Sequence, residues 1–126
     1  MSENDVVLAV TGASGTAYAI RLAQALLASG KQLHLVVSGA ARQVIARELN
    51  TEFPGNSATA AEWSAMIDQT LAGPIASRWG FRAAAVSNPE RPLGSVRVYG
   101  TSDYSAGIAS GSFRTSGMVI CPCSMG

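Results

Sequence analysis

The chain is poor in charged side chains. They make up only 13% of its 126 residues, against roughly 25% in an ordinary globular protein. The lysines and arginines are scattered and the formal net charge is +1, so the sequence has no basic patch of the kind that binds nucleic acid. So little surface charge indicates that other subunits cover much of the surface, and we therefore expect a homo-oligomer.

Long apolar runs and cysteines are also scarce. No apolar run approaches the roughly 20 residues that cross a bilayer, so no membrane span is predicted. Residues 1–5 are polar and acidic, which is unlike a secretory signal peptide. Only Pro122 separates Cys121 from Cys123. Such a pair is neither a disulfide framework nor a metal site, so we expect core cysteines in a cytoplasmic protein.

A turn of small residues follows the first apolar segment. Residues 6–10 are continuously apolar, residues 11–15 are Thr-Gly-Ala-Ser-Gly, and residues 16–28 carry apolar positions at helical spacing. The pattern predicts a strand, a tight loop and a helix, with unpaired N–H groups at the helix N-terminus. Such an end attracts anions such as phosphate, because free donors and the positive end of the helix dipole coincide there. The competing interpretation is a βα turn that prefers small residues and holds no ligand.

Strands and helices alternate along the rest of the chain. Strands are predicted at residues 6–10, 32–37, 95–99 and 118–121, and helices at residues 16–28, 40–49 and 60–71. This order predicts one α/β domain over residues 1–126, a doubly wound parallel sheet of the Rossmann or flavodoxin type with helices on both faces. Because the fourth strand is predicted to be buried and is the last element, we expect the chain to be the N-terminal portion of a longer domain.

The first loop lacks the signatures of two common phosphate sites. No Gly-Lys-Ser/Thr follows it, which excludes a P-loop. A dinucleotide site needs a later glycine and an acid after the second strand, where this chain has Ser38 and Gly39. A mononucleotide such as FMN therefore fits better than NAD. Ser14, Ser38 and Ser124 each follow a predicted strand, so three hydroxyls are expected at one sheet edge.

Four motifs together carry a family resemblance. They are Gly-Ala-Ser-Gly at residues 12–15, Val-Ser-Gly-Ala-Ala at 37–41, Ser-Gly-Ser at 110–112 and Cys-Pro-Cys-Ser at 121–124. In this order they make the chain resemble the N-terminal part of the UbiX/Pad family of flavin prenyltransferases. That family lies in the flavoprotein superfamily with phosphopantothenoylcysteine decarboxylase.

The resemblance implies a metal-independent transfer of a dimethylallyl group from dimethylallyl phosphate to reduced FMN. The product, prenylated FMN, would serve a UbiD-type decarboxylase. The resemblance also implies a large closed homo-oligomer such as a dodecamer. Carried over by position, the FMN-binding residues are Gly12, Ala13, Ser14, Ser38 and Ser124.

The same resemblance assigns residues to the prenyl side of the site. Ser110, Gly111 and Ser112 would form the loop at the prenyl phosphate, and Ser110 is also counted as catalytic. Tyr104 would face the allyl group, and Glu48 would handle a proton near the flavin.

Other interpretations of these residues stay open. Tyr104 alternatively packs under its loop, Glu48 alternatively is a solvated helix-end carboxylate, and the two serines alternatively only shape a turn. His34 is predicted to be structural, and Trp63 and Trp79 to lie in the core or at a subunit interface. Two other functions also remain: an FMN-dependent decarboxylase of the phosphopantothenoylcysteine decarboxylase type, and a non-catalytic FMN-binding or assembly module.

Overall fold

The computed structural model describes residues 4–51, 54, 59–72, 94–102 and 107–124. Its elements are β1 (Asp5–Val10), α1 (Thr16–Ala28), β2 (Gln32–Val37), α2 (Gly39–Leu49), α3 (Ala60–Ala72), β3 (Ser95–Tyr99) and β4 (Gly117–Ile120), with a short 3₁₀ turn at Gly107–Ala109. Every predicted strand and helix is present, and its bounds agree with the prediction to within one residue. Most of the irregular stretch predicted at 81–94 lies outside the described residues, as does Trp79.

The four strands form one parallel sheet in the order β3-β2-β1-β4. The chain first moves outward from β1 through β2 to β3, and then returns to place β4 on the other side of β1. The prediction of a doubly wound, flavodoxin-like sheet is confirmed. The carboxyl ends of β1 and β4 mark the point where the winding reverses, which is where such sheets bind ligands.

One face of the sheet packs against the helices. Alternate strand residues, among them Leu8, Leu35 and Val98, share a single apolar cluster with Ile20 of α1 and Trp63 of α3. Leu8 is 0% and Ile20 2% exposed, and full burial of such a side chain contributes about 1.5–3 kcal/mol. The prediction of a core position for Trp63 is confirmed.

The residues between these positions form the opposite side, called here the second face of the sheet. By register it carries Asp5, Val7, His34, Val36, Tyr99, Met118 and Ile120. Met118 and Ile120 are 60% and 50% exposed, so the expectation of a buried fourth strand is wrong for the part of the chain that the structure describes. The reason is position: β4 pairs only with β1 and forms one end of the described sheet, so its other edge has no described strand beside it.

Within the described ranges, no helix combines the length and the hydropathy that crossing a bilayer requires.

Candidate functional site

The segments after β1 and β4 lie side by side at the winding reversal. The amide of Cys121 donates to the carbonyl of Ala9 at 2.9 Å, which continues the pairing of the two strands. Thr11 Oγ1 then donates to the carbonyl oxygen of Pro122. The predicted meeting of the first loop with the Cys-Pro-Cys-Ser segment is therefore found, and exposed Ser124 follows two residues later. Sequence reasoning gave Thr11 no role, although a hydroxyl directly after a buried strand was a usable signal.

Glycine is required at two positions of the first loop. Gly15 precedes α1 with φ 107°, a left-handed conformation that side chains with a Cβ adopt only at a cost. A Cβ on Gly12 would lie 2.7 Å from Cβ of Ala40, at the start of α2. The loop is thus shaped by close contact with α2, and it leaves Gly12 and Ser14 exposed.

The anion at the N-terminus of α1 is a carboxylate of the protein itself. Gly15 has no side chain to cap the helix, and its amide donates to both Glu48 oxygens, Oε1 at 3.2 Å and Oε2 at 3.3 Å. Ser14 Oγ donates to Oε2 at 3.4 Å. The anion site predicted from the sequence is therefore present, but it is filled from α2 and is not an open phosphate cradle. Glu48 is half-buried and hydrogen-bonded to the first loop.

A second helix begins at the same sheet edge. Ser38 is the N-cap of α2, and its Oγ accepts the amide of Ala41 at 3.0 Å. The amide of Ser38 donates to the carbonyl of Val10 at 3.1 Å, which fixes the cap beside the end of β1. Ser38, Gly39 and Ala40 thus bring the positive end of the α2 dipole next to the first loop.

The Ser-Gly-Ser segment forms a turn of its own. Ser110 Oγ and Ser112 Oγ lie 2.8 Å apart, and the amide of Ser112 donates to Ser110 Oγ at 3.3 Å. Both serines and Gly111 are exposed. Within the described residues, the hydrogen bonds of these hydroxyls stay inside the turn, so the structure does not join it to the first loop. Tyr104 lies outside the described residues.

The two cysteines differ in their surroundings. Cys121 packs against the core, whereas Cys123 is exposed, and both are free thiols. Burial raises the pKa of the Cys121 thiol. The prediction of core cysteines is therefore confirmed for Cys121 and wrong for Cys123, because the chain leaves the sheet at Pro122.

The fold and the site define a class: a flavodoxin-like α/β protein with its candidate crevice at the winding reversal. The chain belongs to the Flavoprotein family, whose profile matches residues 1–126. The resemblance drawn from the four motifs is confirmed by comparison with known proteins.

Curated relatives match nearly the whole chain. Flavin prenyltransferase UbiX of Synechocystis is 37% identical over 122 residues, covering 95% of this chain and 48% of the relative. The protein of that name in Pseudomonas aeruginosa is 35% identical over 121 residues, covering 96% of this chain and 48% of the relative. The chain thus spans about half the length of these relatives.

Solved structures match over a similar extent. AnUbiX (PadA1), crystallised with FMN and dimethylallyl pyrophosphate, is 25% identical with a TM-score of 0.61, covering 98% of this chain and 47% of that one. A dodecameric FMN-dependent UbiX-like decarboxylase from Escherichia coli O157:H7 is 26% identical with a TM-score of 0.58, covering 96% and 48%.

Proposed function

We propose that the protein is a flavin prenyltransferase that acts on reduced FMN and dimethylallyl phosphate. The C–O bond of dimethylallyl phosphate breaks with its electron pair leaving on phosphate, and the allyl group bonds to N5 and C6 of the flavin. Of the two protons that N5 and C6 lose, one ends on the middle carbon of the allyl group and one on phosphate. The observation that carries the proposal is the pair of Ser14 and Glu48 at the winding reversal.

The charge of Glu48 orients the flavin in this proposal. A carboxylate already accepts the Gly15 amide at the start of α1, and a phosphate beside it would bring like charges together. The FMN phosphate is therefore assigned to the start of α2, near Ser38, and the ring system to the first loop. Gly12 has no side chain there, and Ala13 has a small one, so a flat ring fits against that loop.

Ser14 and Glu48 are proposed to move the proton of the flavin. While Ser14 Oγ donates to Glu48, its lone pairs remain able to accept an N–H proton from a ring placed over the loop. Glu48 then takes the proton that Ser14 passes on, as a general base. Ser124 is proposed as a further polar contact, because Thr11 holds its segment beside the loop.

The prenyl side of the site rests on the Ser-Gly-Ser turn. We propose that Ser110, Gly111 and Ser112 bind the phosphate of dimethylallyl phosphate, since both hydroxyls are exposed and can rotate from each other toward an anion. Ser110 is proposed to stabilise the leaving phosphate and Tyr104 to face the allyl cation, whose charge an aromatic ring stabilises.

Assembly and partners are proposed from the same family. A homo-oligomer, with a dodecamer as the specific form, is supported by the low charge content and by the dodecameric neighbour. Gel filtration at a monomer's volume would contradict it. A UbiD-type decarboxylase is the proposed recipient of prenylated FMN. The proposed location is the cytoplasm, which is supported by the free thiols of the described cysteines.

The test is a single-turnover assay of the full-length gene product with reduced FMN and dimethylallyl phosphate. We expect a flavin heavier by C5H8 in mass spectrometry, because the added dimethylallyl group replaces hydrogens at N5 and C6 and regains one, with one phosphate released per flavin. Ser14→Ala and Glu48→Gln should each slow the reaction by about 100-fold.

The matched control is Ser29→Ala, an exposed serine at the other end of α1, which should leave the rate unchanged. Bound but unaltered FMN in the wild-type protein would overturn the prenyltransferase proposal. In that case, decarboxylation of a peptidyl-cysteine substrate would indicate the decarboxylase, and the absence of both reactions would indicate a binding module.

A further inference from the structure

The only histidine of the sequence joins three strands on the second face of the sheet. His34 Nε2 lies 2.7 Å from Asp5 Oδ1 of β1, and His34 Nδ1 lies 3.0 Å from Tyr99 Oη of β3. The register explains the contacts, because Asp5 pairs with Gln32 and Tyr99 with Val36 on either side of His34. One line of hydrogen bonds thus crosses β1, β2 and β3.

Two hydrogen bonds fix the orientation of the ring. The hydrogen bond from His34 holds the pKa of Asp5 below its usual value, so Asp5 is an ionised acceptor and Nε2 carries the hydrogen. Nδ1 shares a second hydrogen bond with the hydroxyl of Tyr99. Both ring nitrogens are bonded, which leaves the ring a single orientation.

The oriented ring contacts the segment that ends the Ser-Gly-Ser turn. The rings of His34 and Phe113 meet edge to face, with centroids 5.2 Å apart and planes at 78°. Gly107, which begins the segment before the turn, lies close to the same phenyl ring: a Cβ built on Gly107 would be 3.3 Å from it. The amide of Phe113 also donates to the carbonyl of Ser110 at 3.1 Å.

A second attachment lies three residues further on. The amide and the hydroxyl of Ser116 both donate to the backbone carbonyl of Asp5, at 2.8 Å and 3.0 Å. The segment from Gly107 to Ser116 is therefore held at two points, and both lead to the strand residues that fix His34. Ser110 and Ser112, which precede both points, make their described side-chain hydrogen bonds only within the turn.

We propose that His34 is a positioning residue that sets the place of the Ser110–Ser112 turn through the ring of Phe113. The inference rests on the proposed function, in which that turn binds the phosphate of dimethylallyl phosphate. His34 itself touches neither the flavin loop nor the serines. Its effect should therefore appear in the affinity for the prenyl donor and not in the binding of FMN.

The first experiment separates KM from kcat in the full-length protein. Phe113→Ala and His34→Gln should raise KM for dimethylallyl phosphate by about tenfold, and kcat should fall as well because Ser110 also stabilises the leaving phosphate, while the Kd of FMN stays within about twofold of wild type. Phe113→Tyr keeps the edge contact and should restore KM. Tyr99→Phe keeps the ring but removes one hydrogen bond, and should give an intermediate KM. An unchanged KM in both Phe113→Ala and His34→Gln would overturn the inference, as would a parallel loss of FMN affinity, since that indicates a merely structural role.

The second experiment needs no activity. Arg114 is exposed and directly follows Phe113, so limited trypsin cleavage after Arg114 reports on the attachment of the turn. Phe113→Ala and His34→Gln should speed that cleavage, and Phe113→Tyr should show the wild-type rate. Unaltered cleavage in Phe113→Ala overturns the inference alone. Absence of prenyl transfer in the wild-type protein instead overturns the proposed function, and with it the donor-binding part of the inference, while the cleavage rates still decide whether His34 and Phe113 hold the turn.

Discussion

Glu48 caps a helix to which it does not belong: both oxygens of its carboxylate lie within 3.3 Å of the amide of Gly15. A charged acceptor at a helix N-terminus stabilises by about 1 kcal/mol. We therefore expect Glu48→Ala to lower the free energy of unfolding by that amount, and Glu48→Gln, which keeps an acceptor but no charge, by less. Urea denaturation measures both changes. Gln43→Ala, an exposed position of the same helix, is the control, and an equal loss in the control would contradict the prediction.

The two structural glycines of the first loop should tolerate alanine poorly. Gly15→Ala places a side chain at φ 107° and should cost about 1–2 kcal/mol. Gly12→Ala drives a Cβ against Ala40, so we expect a lower Tm and weaker FMN binding as the loop moves away from α2. Gly117→Ala is the matched control, because a Cβ there meets nothing within 4 Å and the residue begins β4, at the opposite end of the strands from the first loop. Thermal melts and FMN titrations give the comparison, and equal behaviour of all three variants would refute it.

The hydroxyl of Thr11 should contribute to stability and to FMN affinity. Thr11→Val retains the shape of the side chain but leaves the carbonyl of Pro122 without this donor, which should cost about 1 kcal/mol. If Ser124 contacts FMN, the affinity for FMN should fall as well. Thr11→Ser keeps the hydroxyl and should behave as wild type. Fluorescence quenching of FMN measures the affinity, and an unaffected Thr11→Val would show that the link is dispensable.

Acid should destabilise the protein partly through Asp5. The hydrogen bond from His34 lowers the pKa of Asp5 below its usual 3.8, so folding favours the ionised form. The resulting stabilisation is fully present above the unfolded value near pH 4 and disappears as the pH falls through the lower folded value. Asp5→Asn should therefore be less stable than wild type at pH 6, and the difference should shrink at pH 3. Parallel stability curves from urea unfolding across this range would contradict the assignment.

The two thiols should react at different rates. Cys123 is exposed, whereas Cys121 is half-buried and its pKa is raised by burial, so less of it is thiolate at a given pH. We expect Cys123 to react with iodoacetamide about tenfold faster than Cys121. Peptide mass mapping assigns the labels, and the Cys123→Ser variant isolates the slow site. Equal rates would show that Cys121 is more accessible than its packing indicates.

The elements and the sheet edge were predictable because their signals are local. The apolar run at residues 6–10 and the spacing of Ile20 and Leu27 in α1 each act within a few residues of sequence. Parallel pairing then follows from the alternation of strands and helices, and it places Ser14 and Ser38 at one edge. These steps need no knowledge of distant contacts.

The contacts that give the site its character were not predictable in this way. Glu48 reaches Gly15 only because α2 packs beside α1, and nothing near Glu48 in the sequence marks it as a cap. His34 stands in an apolar strand, and its partners Asp5 and Tyr99 become visible only when the register is known. The prediction that Met118 is buried was wrong for a related reason. An apolar strand pattern does not show which neighbouring elements, if any, cover the strand.

The hydrogen bonds between Glu48 and the first loop affect the entropy cost of FMN binding. Since Glu48 already accepts hydrogen bonds from the Gly15 amide and the Ser14 hydroxyl, we expect residues 12–15 to hold their conformation before any flavin is present. Association then includes no ordering of this loop, and its entropic cost is correspondingly small. Amide hydrogen exchange at Gly15 should be slow in the free protein and change little when FMN binds, which is the behaviour of a rigid receptor.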